Sequence, residues 1–295
     1  MRYRFLKEHQ GEYHPIEKAC KILRISRSGF YEYLGRRKSN QQIEREALEG
    51  FVSDIFAKHK ARYGSRRIKR ELAAQGIRVS EKRVRKVMHK LDLVARGTTR
   101  RYRRQKRIEP GDPRLNLVEQ VFTVSERNRL WVGDITYIPT QRGFLYLATV
   151  IDAFSRKVVG WSMSVNMREN LVIHALEQAI GREHPKPGFI FHDDQGTQYT
   201  SRAFQKALAV HGIIQSVSRP GNPYDNAVAE SFFKTLKTEL IKGRNYLNQE
   251  EARQEIFKYI ELYYNTKRLH SSLDYMSPCD YECSSSRKNL TFCPI

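Results

Sequence analysis

Residues 130–164 read LWVGDITYIPTQRGFLYLATVIDAFSRKVVGWSMS, and the fold class is predicted from their pattern. Three apolar segments rich in β-branched and aromatic residues, at 130–139, 144–151 and 157–164, are separated only by short polar turns. Such segments are typical of strands, and turns this short join antiparallel neighbours. The sequence therefore predicts a three-stranded antiparallel meander.

The chain after this meander alternates between helix and strand patterns. Apolar spacing predicts helices at 168–181, 201–211 and 225–241, with short strands at 188–192 and 213–218 between them. Parallel strands need crossover connections of this kind. The order βββαβαβα predicts an α/β fold with the mixed five-stranded sheet of the ribonuclease-H-like class.

The first 114 residues show helical patterns instead. A helix pair is predicted within 14–34, with Ser26 as the cap of its second helix. A helix-turn-helix is predicted where the helix at 65–75 stops at Gly76 and Ser80 caps the next helix, at 81–91. That last helix has an apolar stripe and a basic outer face, on which the candidate DNA-binding residues are Arg83, Arg85, Lys86 and Lys90. An ordinary helical hairpin with a solvated basic face is the alternative.

The charge is concentrated in the same region. The chain carries a net charge of +21, of which residues 1–114 hold +19 and residues 115–295 hold +2. This distribution favours a nucleic-acid-binding front end, with solubility charge or attraction to an anionic membrane as the alternatives. Residues 96–107 contain seven basic residues and no acid, which predicts a linker that contacts the phosphate backbone through Arg100, Arg101, Arg103 and Arg104.

These patterns predict an organisation in five parts. They are an N-terminal helical segment at 1–44, a helix-turn-helix domain at 45–95, a polybasic linker at 96–120, a catalytic core at 121–245 and a C-terminal helical extension and tail at 246–295. The start of the chain lacks the apolar core of a signal peptide, and no apolar run is long enough to span a membrane, so we expect a cytosolic protein with reduced cysteines.

Three carboxylates stand at the edges of the predicted elements. Asp134 lies in the first strand, Asp194 just past the fourth, and Glu230 on the last helix, with 35 residues between Asp194 and Glu230. Carboxylate oxygens suit Mg²⁺, and paired ions about 3.5–4 Å apart are the usual means of activating a phosphodiester. The alternatives are a structural salt bridge for Asp134 and a solvated Glu–Lys pair for Glu230, because Lys234 and Lys237 share its helix face.

Two further acids, Asp152 and Asp193, are also candidate metal ligands. In the predicted hairpin, Asp152 lies about three residues, or roughly 10 Å, from Asp134, which predicts a strand-end or turn residue and not a ligand. Asp193 and Asp194 are neighbours whose side chains point apart in an extended chain, so only one of them can face the ions. Periodicity does not choose between the two, and the other is expected to be solvated or to cap a turn.

Four ordered segments carry a resemblance to a known family. They are WVGDITY at 131–137, VIDAFSRKVVGW at 150–161, HDDQGTQY at 192–199 and GNPYDNAVAESFFK at 221–234. Together they resemble the integrase catalytic core of bacterial insertion-sequence transposases, in the type encoded by a second reading frame. YNTKRLHSSLDYMSP at 264–278 resembles the C-terminal signature of that group, and YGSRRI at 63–68 its helix-turn-helix segment.

The resemblance implies a catalytic and metal-binding triad of Asp134, Asp194 and Glu230, with Lys237 on a DNA phosphate and Lys234 as a further DNA-binding candidate. It favours Asp194 over Asp193, and the chain departs from the family pattern at Asp193 and at Asp274, where glycine is common. It also implies two Mg²⁺ or Mn²⁺ ions.

The implied reaction is cleavage at a 3′ end of the element followed by strand transfer, on double-stranded DNA. At least a dimer would act on the DNA, and a first-reading-frame partner or fusion is possible. The alternatives are a DNA-binding regulator or inactive remnant, and an RNase-H-like nuclease acting on other substrates.

Overall fold

The computed structural model describes residues 2–9, 15–35, 39–97, 116–219 and 223–290. Its sheet has five strands in the order β3-β2-β1-β4-β5. They are β1 (Leu130–Thr140), β2 (Gly143–Asp152), β3 (Val158–Ser164), β4 (Ile190–Asp193) and β5 (Ile214–Val217). The first three strands pair antiparallel, while β4 and β5 join in parallel, so the predicted ribonuclease-H-like order is confirmed.

The register of the central hairpin places the acidic residues along the sheet. The β1–β2 turn lies at Gln141 and Arg142, because Thr140 pairs with Gly143. Asp134 therefore sits opposite Thr149, and Asp152 sits opposite Trp131. The parallel pairing of β4 with the start of β1 brings the chain that follows Asp193 alongside the middle of β1.

Two helices cover one face of the sheet, α7 (Glu169–Glu183) and α8 (Arg202–Val210). Their apolar stripes bury Leu176 and Phe204 against Trp131 and Val159 of the sheet. Ser201 caps α8 by accepting a hydrogen bond from the N–H of Phe204. Both helices were predicted from apolar spacing, and their bounds agree with the prediction to within two residues.

The opposite face is covered by the last part of the core and the C-terminal extension. A 3₁₀ turn (Pro223–Asn226) leads into α9 (Ala227–Leu236), which continues as a π-helical turn (Lys237–Ile241). Helix α10 (Gln249–Tyr259) continues as a second π-helical turn (Ile260–Tyr264). A 3₁₀ turn (Ser271–Leu273) precedes the last helix, which we number α11 (Pro278–Leu290). The sequence predicted one continuous α-helix at 225–241, whereas the structure begins this segment with a 3₁₀ turn and ends it with a π-helical turn.

The N-terminal region contains six helices among the residues described there. Helices α1 (Arg2–Glu8), α2 (Ile16–Ile22) and α3 (Arg27–Gly35) enclose a small core around Leu6, Cys20 and Phe30. The predicted pair corresponds to α2 and α3. The sequence did not predict α1, because seven residues with Leu6 alone buried carry little periodicity.

Helices α4 (Asn40–Lys58), α5 (Ser65–Ala74) and α6 (Glu81–Lys90) form the helix-turn-helix unit. Gly76 has the left-handed φ of 81° expected of a residue that ends a helix, and Ser80 caps α6 by accepting from the N–H of Arg83. The buried stripe of α6 contains Val84, Val87 and Met88, as predicted.

This unit packs against the C-terminal extension. The Tyr63 hydroxyl donates to the carbonyl of Lys267 at 3.0 Å and accepts from the N–H of Leu269 at 2.9 Å. The ring of His59 stacks on that of Tyr63, 3.7 Å between centroids. The predicted five-part division stays a prediction, but the helix-turn-helix unit and the extension share one continuous apolar core.

Most of the predicted linker, residues 98–115, lies outside the described residues, and with it the four DNA-binding candidates Arg100, Arg101, Arg103 and Arg104. The described end of that segment is folded against the core: the buried Asn116 donates to Asp225 at 2.9 Å. None of the helices in the described part of the chain has the length and apolar character required to cross a bilayer.

Candidate active site

Asp134 lies in the middle of β1, on the central strand of the sheet. Its side chain is half-buried, and one carboxylate oxygen accepts from the N–H of Ile135 at 2.7 Å. Gly133, the residue before it, packs against the rings of Phe191 and Tyr199, where a Cβ would approach Phe191 to 2.5 Å. The close approach of these rings holds the backbone beside Asp134 in place.

Asp194 directly follows β4, at the carboxyl edge of the parallel pair. Its carboxylate accepts from the N–H of Gly196 at 3.1 Å, which forms a tight turn after the strand. A Cβ on Gly196 would meet that same carboxylate oxygen at 2.9 Å, so a glycine leaves the turn open for Asp194. The side chain of Asp194 is half-buried.

Glu230 lies in the first turn of α9 and is exposed. The buried stripe of that helix contains Ala229, Phe232, Phe233 and Leu236, as the sequence predicted. Lys234 and Lys237 are exposed and follow Glu230 on the same face. The ammonium of Lys237 lies 5.5 Å from the centre of the Tyr137 ring on β1, so the lysine lies over the strand that carries Asp134.

The electrostatics link these three carboxylates. Burial, followed by the negative charge of Asp194, raises the pKa of Asp134 to about 7. The charge of Glu230 acts in the same direction, while the Ile135 N–H and the Lys237 ammonium oppose it. Burial also raises the pKa of Glu230. Like charges brought together in a partly buried place favour protonation unless a cation joins them.

The donor set fits a hard divalent cation, because it consists of carboxylates whose mutual repulsion such an ion would relieve. The charges of Asp134, Asp194 and Glu230 interact, but the three side chains do not converge on one point. Across residues 2–9, 15–35, 39–97, 116–219 and 223–290, no three His, Cys, Asp or Glu side chains are close enough to hold a metal ion. The same finding covers the described cysteines, Cys20, Cys279 and Cys283, which are free thiols.

Asp193 corrects a prediction. The sequence left it either solvated or capping a turn, but its side chain is fully buried. One carboxylate oxygen accepts from the amide of Gln215 at 3.0 Å, and the other has no hydrogen-bond partner in the structure. Burial raises the pKa of Asp193 to about 8. The prediction failed because β4 extends through Asp193, which turns its side chain into the protein and that of Asp194 out of it.

Asp152 behaves as predicted, as a turn residue. Its carboxylate accepts from the backbone N–H groups of Asn128, Phe154 and Ser155 at 2.7, 2.7 and 3.2 Å. Burial nevertheless raises the pKa of Asp152 to about 6. These hydrogen bonds hold the β2–β3 connection against the start of β1, three residues from Asp134 in the strand register.

A buried polar network that the sequence did not predict connects β4 to the start of α9. One ring nitrogen of His192 lies 2.9 Å from the Ser216 hydroxyl, and the other lies 2.7 Å from the carbonyl of Asp225. The carboxylate of Asp225 accepts from the Arg219 guanidinium at 2.9 Å. Although burial acts to raise it, the hydrogen bonds from Arg219 hold the pKa of Asp225 below its usual value. The network therefore joins the strand that precedes Asp194 to the turn that precedes α9.

The helix-turn-helix unit presents its basic face as predicted, because Arg83, Arg85, Lys86 and Lys90 are all exposed on α6. Two of these side chains already have partners: Arg85 contacts Glu81 at 2.7 Å, and Lys90 contacts Glu49 of α4 at 2.6 Å. The side chains of Arg83 and Lys86 form no ion pair within the part of the chain that the structure describes. They are the cations most available to a ligand on this face.

Comparison with known proteins agrees with this architecture. The model of the family described as "Integrase core domain" matches residues 124–223, and a second model with that description matches residues 211–278. A model described as "HTH-like domain" matches residues 42–103. These matches define the class of the protein: a polynucleotidyl transferase with an integrase core domain that follows a helix-turn-helix-like domain.

The relatives specify the group within that class. The transposase for insertion sequence element IS904 of Lactococcus lactis is 53% identical over 84% of this chain and 98% of its own length. The transposase InsF for insertion sequence IS3A of Escherichia coli is 39% identical over 98% of this chain and 100% of its own. The chain belongs to this family of insertion-sequence transposases, and its function is DNA transposition.

Among solved structures, the catalytic core domain of HTLV-2 integrase in complex with magnesium aligns with 52% of this chain and 96% of that one. The two are 18% identical, with a TM-score of 0.39. A simian T-cell lymphotropic virus intasome chain aligns with 72% of this chain, at 18% identity and a TM-score of 0.43.

Proposed function

We propose that Asp134, Asp194 and Glu230 are the catalytic residues of this transposase and that they hold a pair of Mg²⁺ or Mn²⁺ ions. One observation carries the proposal: the charges of Asp194 and Glu230, from distant parts of the chain, both act on the half-buried Asp134. When bound, such ions supply Lewis-acid activation of the attacking and leaving oxygens at a phosphodiester.

The chain's own residues orient the DNA for this chemistry. Lys237 lies over Tyr137 beside Asp134 and presents its ammonium to a phosphate near the scissile bond. Lys234 is exposed one turn earlier, on the same helix face as Glu230. Hydrolysis at an element end would free a 3′-OH, and the same site would then direct that hydroxyl to a second phosphodiester, so no covalent bond between protein and DNA is required.

Substitution of the acids tests the assignment. Asp134→Asn, Asp194→Asn and Glu230→Gln should each abolish Mg²⁺-dependent cleavage and strand transfer on element-end DNA but leave DNA binding near that of the wild type. Asp193→Asn is the matched control, because that neighbouring acid is buried, faces away and hydrogen-bonds Gln215, which an asparagine oxygen can also do. Near-normal strand transfer in any of the first three variants contradicts the proposal.

The same assay separates a transposase from its alternatives. A binding-only regulator would retain affinity for element ends and show no Mg²⁺-dependent cleavage in the unaltered protein. An RNase-H-like nuclease would prefer an RNA–DNA hybrid or branched DNA to the element end. Two element ends must be joined in one reaction, so we further propose that at least a dimer assembles on the DNA. Sedimentation with and without paired ends, alone and with any first-frame product, measures this.

A further inference from the structure

A cavity of about 390 Å³ opens beside α9, on a face adjacent to the one that carries Glu230. Its lining comes from several separate parts of the fold. Arg67 belongs to α5, Arg156 to the β2–β3 turn, and Arg268, His270 and Ser271 to the segment after the second π-helical turn. Helix α9 supplies Ser231, the residue that follows Glu230. The proposed triad uses none of these residues.

The charges in this cavity are unbalanced. Glu239 accepts three hydrogen bonds from Arg268, at 2.8, 3.0 and 3.1 Å, and lies 3.6 Å from the guanidinium of Arg67, so one carboxylate serves two arginines. The guanidinium of Arg156 makes no hydrogen bond or ion pair with any residue in the described part of the chain. The nearby Asp152 carboxylate is already occupied by three backbone N–H groups.

The arginines affect the groups around them. Burial, followed by the positive charges of Arg268, Arg67 and Arg156, lowers the pKa of His270 to about 2. The imidazole is therefore neutral and accepts from the Arg268 guanidinium, 3.3 Å away. Burial likewise lowers the pKa of Arg156. A half-buried guanidinium without a hydrogen-bonded or ion-paired partner is unfavourable, and an anion in the cavity would remove that cost.

The lining indicates which anion. Arginine guanidinium groups and serine hydroxyls are hydrogen-bond donors, and the planar fork of arginine matches the oxygens of a phosphate. The volume lies within the range of small-ligand sites, about 300–1,000 Å³. We propose that this cavity is a phosphate-binding site that receives a phosphodiester of the bound DNA next to the catalytic face of α9.

This assignment rests on DNA as the substrate and not on the metal-binding triad. It also accounts for sequence segments that the triad leaves without a role: YGSRRI contains Arg67, VIDAFSRKVVGW contains Arg156, and YNTKRLHSSLDYMSP contains Arg268 and His270. A phosphate held there would contact the helix-turn-helix unit, the sheet and the C-terminal extension at the same time. DNA binding would then tighten the packing of these three parts.

The test removes the unpaired cation. Arg156 has a left-handed φ of 61°, which asparagine tolerates well, so the variant is Arg156→Asn. Arg129→Asn is the matched control, because Arg129 is exposed, does not line this cavity and undergoes the same charge change. Affinity for element-end duplex is measured over a range of salt concentrations. The log–log slope should fall by about 0.9 in Arg156→Asn and stay unchanged in Arg129→Asn.

Arg156→Lys should restore the slope, because lysine returns the charge. An unchanged slope in Arg156→Asn, with a native unfolding midpoint, would overturn the proposal, as would an equal loss in the Arg129→Asn control. Neither measurement depends on strand transfer, so an inactive or misassigned triad leaves the result interpretable.

A second measurement keeps the test valid if Arg156→Asn does not fold. Inorganic phosphate should raise the unfolding midpoint of the unaltered protein more than chloride does at equal ionic strength. Arg156→Lys should reduce that effect although it keeps the charge, because lysine lacks the planar fork that matches phosphate oxygens. No selective protection by phosphate would overturn the site. Selective protection together with an unchanged DNA slope in Arg156→Asn would identify a site for free phosphate and overturn its assignment to DNA.

Discussion

Glu239 is a buried acid that several donors hold in place. It is 5% exposed, lies in the π-helical turn, and accepts hydrogen bonds from Arg268 and from the hydroxyl of Tyr259 at 2.9 Å. Two charges removed from water contribute little net stability as a pair, but an unpaired partner is strongly unfavourable. The single carboxylate therefore keeps the buried arginine in place.

Replacement of that acid should expose this dependence. Glu239→Ala leaves Arg268 buried without its counter-charge and should lower the free energy of unfolding by about 3–5 kcal/mol. Glu250→Ala is the control, because its ion pair with Arg253 is solvated, at 66% and 37% exposure, and should cost roughly 0.2–1 kcal/mol. Urea unfolding of both variants measures the difference. Equal losses of unfolding free energy in the two variants would show that the buried pair matters no more to stability than the exposed one.

The lowered pKa of His270 should make the stability of the protein depend on pH. Its pKa is about 2 in the folded protein, because of burial and the neighbouring arginines, and near the ordinary ~6.5 when unfolded. Below about pH 6.5 the imidazole of His270 therefore binds a proton in the unfolded chain but not in the folded protein. The stability that comes from the neutral imidazole is complete above that pH and is lost on acidification. The loss should reach about 2 kcal/mol at about pH 5.

Comparison with His270→Asn isolates this contribution, because buried carboxyls with raised pKa values, such as Asp152, act in the opposite sense. Between about pH 7 and about pH 5, the unaltered protein should lose about 2 kcal/mol more than the variant, as measured by unfolding midpoints in urea. Parallel pH profiles would contradict the assignment of a neutral imidazole.

At the scale of elements, the close packing of α7 on β3 depends on one residue without a side chain. A Cβ on Gly160 would clash with the backbone carbonyl of Ala175 and lie 2.7 Å from the Cβ of Ala179. The helix can therefore approach the strand only where glycine stands. The neighbouring valines, Val158 and Val159, are fully buried, so β3 has no room to move away.

Gly160→Ala should accordingly destabilise the protein by about 1–3 kcal/mol, because the helix backbone must shift to admit the methyl group. Gly181→Ala, in the same helix α7, is the matched control. Apart from the backbone of its own helix and its chain neighbours, no atom of the described residues lies within 4 Å of its added Cβ. Alanine is also favoured in a helix, so stability should rise by roughly 0.5–1 kcal/mol. Opposite signs in thermal unfolding are the expected result, and a stable Gly160→Ala variant would show that the interface is loosely packed.

The π-helical turn at the end of α9 is a second feature of element scale. The N–H of Lys242 donates to the carbonyl of Lys237 at 2.7 Å, five residues earlier. The wider turn accommodates an additional residue, which brings Glu239 into the core while Glu230, Lys234 and Lys237 stay outside. Apolar spacing alone predicted a continuous helix, because the buried positions Phe232, Leu236 and Leu240 fit both geometries.

At the scale of the whole molecule, the basic front end is not an independent arm. The helix-turn-helix unit contacts the extension through Tyr63 and His59, and Arg96 donates to the carbonyl of Glu239 at 3.0 Å. Deletion of residues 1–114 would uncover this apolar interface as well as remove charge. Single substitutions on the exposed face of α6 are therefore the cleaner test of DNA contact.

The double variant Arg83→Gln/Lys86→Gln should weaken DNA binding and lower the salt slope by about 1.8, from two lost phosphate contacts at ~0.9 each. Folding should be unaffected, because both side chains are exposed and form no ion pair with described residues. Lys58→Gln/Lys60→Gln removes the same charge near the end of α4 and serves as the control. Equal slopes for the two double variants would place the DNA elsewhere on the unit.

The sequence was sufficient to predict the class of fold, the strand order along the chain, the helix-turn-helix unit and the candidate acids, because apolar periodicity and turn residues are local properties. The folded molecule was needed to show that Asp193 faces inward, that His192 and Asp225 join β4 to α9, and that three distant arginines share one cavity. The structure also explains why glycine is common at the position of Asp274 in the family pattern, because the φ of this residue is 49°, a conformation that favours glycine. These features depend on which surfaces of separate elements meet, and no local pattern encodes that.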